Sequence, residues 1–150
     1  MKANGIDGVL PMKDDAGIGS SPASHSAAVV SGVIGGLVVV LIGLLAGKLG
    51  EPLSGNALFG PSVPALAAAM AAAVSAHRAG SSFGTALAVA IGAFLVAYVA
   101  AVWFTHWMGV GGLVRRRPVN PVVLGWRRDL GVCFIGIAVG AFLGTFLGRR

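Results

Sequence analysis

Carboxylates are scarce in this chain. Asp7, Asp14, Asp15, Glu51 and Asp129 are the only acidic side chains in 150 residues, and none falls inside a long apolar run. Proton pumps and ion-coupled transporters usually hold an ionisable group at membrane depth, so this scarcity argues against that class. A broken-helix transporter can coordinate ions through backbone carbonyls instead, and Pro61 and Pro64 leave room for such a break. Cysteine is nearly absent as well. Cys133 stands alone, which excludes an internal disulfide and any Cys-based metal motif.

Histidine offers little more. His25, His77 and His106 show no ligand spacing such as i, i+4, and no metal is expected. Ser31, Ser62, Ser75, Thr85, Thr105 and Thr145 are scattered, and no base is paired with any of them as nucleophilic catalysis requires. The sequence therefore carries no catalytic set and no cofactor motif, and no enzyme activity is expected of it.

Charge of either sign is thin, at 11% of residues against roughly 25% in an ordinary soluble domain. What fills the chain is apolar: 56% is hydrophobic and the mean hydropathy is +0.87. These values indicate an all-α integral membrane protein with one helical domain and room for no second one. An Ala-, Gly- and Val-rich composition of this kind fits a bacterial inner membrane. The net charge of +6 would suggest nucleic acid in a soluble domain. Here the cations flank apolar runs, which is the pattern of topology signals and lipid headgroup contacts, so nucleic acid is not expected as a partner.

Residues 1–25 are polar, rich in Gly, Ser and Ala, and lack periodicity, which reads as a disordered tail. The membrane domain then runs over 26–150, with helices at about 27–47, 57–76, 83–109 and 130–148. Each stretch is long enough to cross ~30 Å of hydrocarbon, although the second is weak. It is mostly alanine, and Pro61 and Pro64 interrupt its start. The choice is between a bundle of four transmembrane helices, with the second Pro-kinked and surrounded by the others, and three spans plus a re-entrant segment. Four spans is the favoured reading. The third stretch ends in Trp103, Phe104, His106 and Trp107, an interfacial aromatic belt.

Residues 110–129 read as a loop containing Arg115, Arg116, Arg117, Arg127 and Arg128 beside Trp126. Both topologies place this Arg-rich loop in the cytoplasm by the excess of positive charge. Its arginines and Trp126 are candidate contacts for lipid headgroups, anionic lipid among them, or for an acidic partner.

The strongest pattern is in the last run, LGVCFIGIAVGAFLGTFLG. Gly136, Gly140, Gly144 and Gly148 recur every fourth residue, the spacing of a glycine zipper. Gly in a helix interior costs about 1 kcal/mol relative to Ala, so a stripe of them implies a packing surface. In lipid, small residues drive association by letting backbones approach. At roughly 100° per residue, Gly32, Gly36 and Gly43 form a similar face on the first helix, opposite Val30, Ile34, Leu37, Leu41 and Leu45. The third helix gathers alanines. The expected arrangement is the first and last helices meeting glycine to glycine.

Two functions fit. One is a non-catalytic structural, accessory or assembly subunit, packing through Gly and Ala faces with a larger membrane complex or with itself. The other is a small channel, transporter or holin-like pore formed by homo-oligomerisation.

Overall fold

The helix boundaries follow from local chemistry. In the computed structural model, which describes residues 24–49, 60–110 and 121–149 with side chains for 24–49, 60–104 and 128–149, four helices are present. They are α1 (His25–Leu45), α2 (Ser62–Arg78), α3 (Phe83–Val110) and α4 (Pro121–Leu147), with no strand among the described residues. Ser24 caps α1, its hydroxyl accepting from the Ala27 N–H at 3.4 Å. Ser82 caps α3 in the same way through the Thr85 N–H, at 3.3 Å.

Glycine closes α1 and α2. Gly47 and Gly80 take φ of +70° and +100°, a conformation that only glycine enters without steric cost. At each, two N–H groups turn back to the last carbonyls. Gly47 donates to Leu44 and Lys48 to Gly43, and likewise Gly80 to His77 and Ser81 to Ala76. This double bond satisfies carbonyls that the helix end would otherwise leave open.

Helix α2 occupies the centre. It packs against α1, α3 and α4, while α3 meets α4 only slightly. Ala65, Ala67, Ala68, Ala71, Ala72 and Ala76 are buried along it. Alanine at these positions keeps the helix narrow, so three neighbours can approach its backbone. Gly43, Gly36 and Gly32 of α1 lie against Val63, Ala67 and Ala71 in turn, which makes α1 antiparallel to α2. Gly140, Gly144 and Gly148 of α4 lie against Ala68, Ala72 and Ala76, so α4 runs parallel to it. The start of α1, the end of α2 and the end of α4 therefore share one end of the bundle.

Among the described residues three helices are long and apolar enough to cross a membrane: His25–Leu45, Phe83–Phe104 and Arg128–Leu147. The large side chains of α1 and α4 face outward. Val30, Ile34, Leu41 and Leu45 are exposed, as are Ile135, Val139, Phe142 and Phe146.

The structure corrects several expectations. Helix α2 begins at Ser62, and Pro61 and Pro64 sit at its first turn rather than kinking it. The first-turn N–H groups have no intrahelical acceptor, so proline costs nothing there. Helix α4 begins at Pro121, not near 130. Pro121 is its first residue, where a fixed φ suits helix initiation. Residue 110 and residues 121–129 of the expected loop over 110–129 are thus helical, and residues 111–120 lie outside the described residues. Ser24 and His25 belong to the start of α1 rather than to the tail. The remainder of the tail, 1–23, lies outside the described residues.

The packing expectation is corrected too. The glycines of α4 meet the alanines of α2, not the glycines of α1. Helices α1 and α4 do touch, but through Gly32 with Ala141 and Gly36 with Ile137.

Candidate functional site

The seven glycines singled out by spacing lie at three interfaces, of α1 with α2, α1 with α4 and α2 with α4. A Cβ built on Gly32 would lie 2.7 Å from the Ala71 carbonyl oxygen and 2.9 Å from Ser75 Cβ. On Gly36 it would lie 2.7 Å from Ile137 Cγ1, and on Gly43 3.0 Å from Val63 Cγ1. Across α4, a Cβ on Gly140 would run into the Ala68 carbonyl, and one on Gly144 into the Ala72 carbonyl and the Ser75 hydroxyl. On Gly148 it would lie 2.8 Å from Ala76 Cα. Gly136 is looser, its nearest neighbours lying 3.5 Å away in Ala68 and Pro64. The tight positions meet mostly backbone, which cannot rotate aside.

Hydroxyls in this core turn back to their own helices. Ser75 donates to the Ala72 carbonyl at 3.1 Å, and Thr145 to the Ala141 carbonyl at 2.8 Å. Both residues are buried. Their polar atoms are therefore satisfied without breaking the contact between α2 and α4.

The Arg and Trp candidates fare differently. Arg115, Arg116 and Arg117 lie outside the described residues. Trp126 and Arg127 fall in the first turns of α4, and their side chains lie outside the description. Arg128 is described, and its Nε donates to Asp129 Oδ1 at 3.2 Å. The sequence places Asp129 in the loop over 110–129. It is instead buried, 3% exposed, at the end of the apolar window of α4. The sequence signal was present in hindsight: Asp129 is one turn before Cys133, which is also buried. Among the described residues no three His, Cys, Asp or Glu side chains gather in a group that could hold a metal.

Sequence reasoning missed a cavity. Where α3 and α4 barely touch, a groove of about 720 Å³ opens between them over α2. Ala88, Gly92 and Val96 line its α3 wall, Val139 and Leu143 its α4 wall, and Ala68 lies on the α2 side. A smaller recess of about 490 Å³ lies at the end shared by the start of α3 and the end of α4. It is lined by Ser81, Ser82, Thr85, Gly148 and Arg149 among others. The recess is polar where the groove is apolar. No family model, curated protein or solved structure matches the chain.

Proposed function

We propose that this chain is a small multi-pass membrane protein with a non-catalytic structural or assembly role, joining a larger membrane complex or copies of itself. The observation that carries this reading is the placement of α3. Only 6% of its membrane-length window is buried within the protein, against 28% for α1 and 33% for α4. A helix so weakly covered by its own chain offers its outer side to lipid or to a partner's helices. Gly84 and Gly92 have nothing within 4 Å of a Cβ built on them, and Ala88 and Gly92 line the groove between α3 and α4, so a further helix could approach the α3 backbone closely on that side.

In this reading α2 is the fourth span. Its 17 residues at about 1.5 Å each give about 25 Å, a little short of the hydrocarbon thickness. Three neighbouring helices cover most of α2, and Leu66 and Met70 on its remaining face are exposed. Its antiparallel course along α1 supports a full crossing over a re-entrant turn. The proposal keeps the membrane as a bacterial inner membrane, with the segment holding Arg115, Arg116 and Arg117 on the cytoplasmic side. Both chain ends then lie on the opposite side.

Extraction in a native-membrane copolymer followed by mass measurement tests the role. A particle containing further protein chains beside this 15.0 kDa one, or several copies of it, is the expected result. A lone monomer overturns it. Reconstituted liposomes separate the pore reading: solute flux above background would replace the structural role by homo-oligomeric conduction.

A further inference from the structure

Helix α3 has two unlike sides. Toward α4 it forms one wall of the apolar groove, with Ala88, Gly92, Val96 and Ala100 along it. Its outward side carries Leu87, Ile91, Leu95 and Val99, all exposed and none of them lining the groove. These four recur every fourth residue, the spacing of a ridge along a helix surface. One chain therefore carries both a ridge and a groove of the kind that receives one.

A membrane restricts how two copies can meet. Copies that share one orientation are related by rotation about the membrane normal, which leaves the depth of every residue unchanged. Leu87, Ile91, Leu95 and Val99 of one copy then stand within about 1.5 Å in depth of Ala88, Gly92, Val96 and Ala100 of the next. Three of those four groove positions are alanine or glycine. At the level that Ile91 reaches, nothing lies within 4 Å of a Cβ built on Gly92. Large residues thus meet small ones at matching depth, without one copy sliding along the other.

The two sides also decide the symmetry. At about 100° per residue, the ridge lies about 150° around α3 from the centre of its groove-lining side. The copy that receives a ridge is therefore not the copy that fills the groove, and the contact is head to tail rather than reciprocal. Area points the same way. The groove follows α3 from Ala88 to Phe104, about 24 Å at about 1.5 Å per residue. Half the side of a helix about 10–12 Å across, over that length, is about 400 Å². A stable interface takes about 800 Å² from each partner, which two such contacts per chain supply and one does not. We infer that the chain assembles as a closed ring, the Leu87–Val99 ridge of each copy seated in the α3–α4 groove of the next. An acyl chain is the poorer occupant, because one leaflet of hydrocarbon is about 15 Å deep and the groove is longer. The ring rests on the assembly role proposed above and makes a second copy of this chain the partner.

Cysteine pairing in native membranes tests it. Val139 lines the α4 wall midway along the groove, at the level of Leu95. Full-length Leu95→Cys and Val139→Cys chains are co-expressed with distinguishable tags and oxidised; Cys133 is buried and stays in place. The expected result is a linked dimer of the two variants, none from either variant alone, and a ladder of larger species from a chain carrying both changes. Gly92→Leu fills the groove, since nothing lies within 4 Å of a Cβ there, and abolishes the link while the chain stays helical by circular dichroism. Leu95→Cys linking to itself would make the contact reciprocal and overturn the ring, as would a link that survives Gly92→Leu. No link in the mixture, with other protein chains in the copolymer particle, would assign the groove to a different partner and leave the assembly role standing. No link together with a monomeric particle would leave the groove to lipid and overturn both.

Discussion

The backbone of Gly140 lies directly against the carbonyl of Ala68, with no room for a side chain on either helix beyond what is there. Gly144 repeats the contact at Ala72 and Gly148 at Ala76. The two helices run parallel, each of these three glycines taking the carbonyl region of one alanine of α2. Lipid supplies no hydrophobic drive between helices, so this contact rests on close van der Waals approach. Its strength falls off within a fraction of an ångström.

Adding one methyl at Gly140 therefore forces the helices apart. Gly140→Ala is expected to lower stability by about 1–3 kcal/mol, the usual cost of overpacking, and Gly140→Leu to disrupt the fold or assembly. The same change at Gly92, where nothing lies within 4 Å, is expected to be neutral or to gain up to about 1 kcal/mol from helix propensity. Phe142→Leu, on an exposed face, should be mild. Thermal melts in one detergent check this. Equal shifts for Gly140→Ala and Gly92→Ala would mean the faces are misassigned.

Gly36 and Ile137 make a tight contact of α1 against α4, with Ile137 Cγ1 2.7 Å from a Cβ built on Gly36. Here the obstacle is a side chain and can be removed. Gly36→Ala alone is expected to cost about 1–3 kcal/mol and Ile137→Ala alone about 2–5 kcal/mol. The double variant should cost less than the sum, because each change relieves the other. An additive double variant, measured by chemical denaturation, would show that the two residues do not press on each other.

Much of the fold is legible in the chain because its apolar runs are long and uncharged. The uncharged runs at 27–47 and 83–109 place α1 and α3 to within two residues of His25–Leu45 and Phe83–Val110, although the cap at Ser24 falls in what reads as tail. The inward and outward faces of α1 and α4 also follow from residue size. Two things were not legible. Helix α2 is the least hydrophobic run, yet it is the centre, because a helix covered by protein needs narrowness rather than lipid affinity. Alanine supplies that, and hydropathy does not measure it. The early start of α4 was hidden by Pro121 and by the charges of Arg127, Arg128 and Asp129, which read as loop. The groove depends on how little α3 touches α4, a tertiary arrangement that no local pattern encodes.

Asp129 raises its own expectation. It is buried while Arg128 beside it is partly exposed, and the two are 3.2 Å apart. Removing the cation leaves a charge in a poorly solvated place, whereas removing both charges does not. Arg128→Gln is expected to destabilise by about 2 kcal/mol, within the range for a hydrogen bond to a charged group. Arg128→Gln with Asp129→Asn should recover part of that loss. If the double variant is no more stable than the single one in the same melt, the pair does not hold the start of α4 in place.

Topology can be read directly with thiol labelling, because the native cysteine should be silent. Cys133 is 1% exposed and packed in the core with Val40, Leu49 and Ile137. The wild-type chain is therefore expected to react with a membrane-impermeant maleimide only after denaturation, and this is measured first. Arg78→Cys and Arg149→Cys should then label from the same side of sealed vesicles, since the ends of α2 and α4 share one end of the bundle. Lys48→Cys, past the end of α1, should label from the opposite side. Labelling of Arg78→Cys together with Lys48→Cys would make α2 a re-entrant helix and leave three spans. Arg149→Cys would then label from that side as well, because α3 and α4 each cross once more after a re-entrant α2.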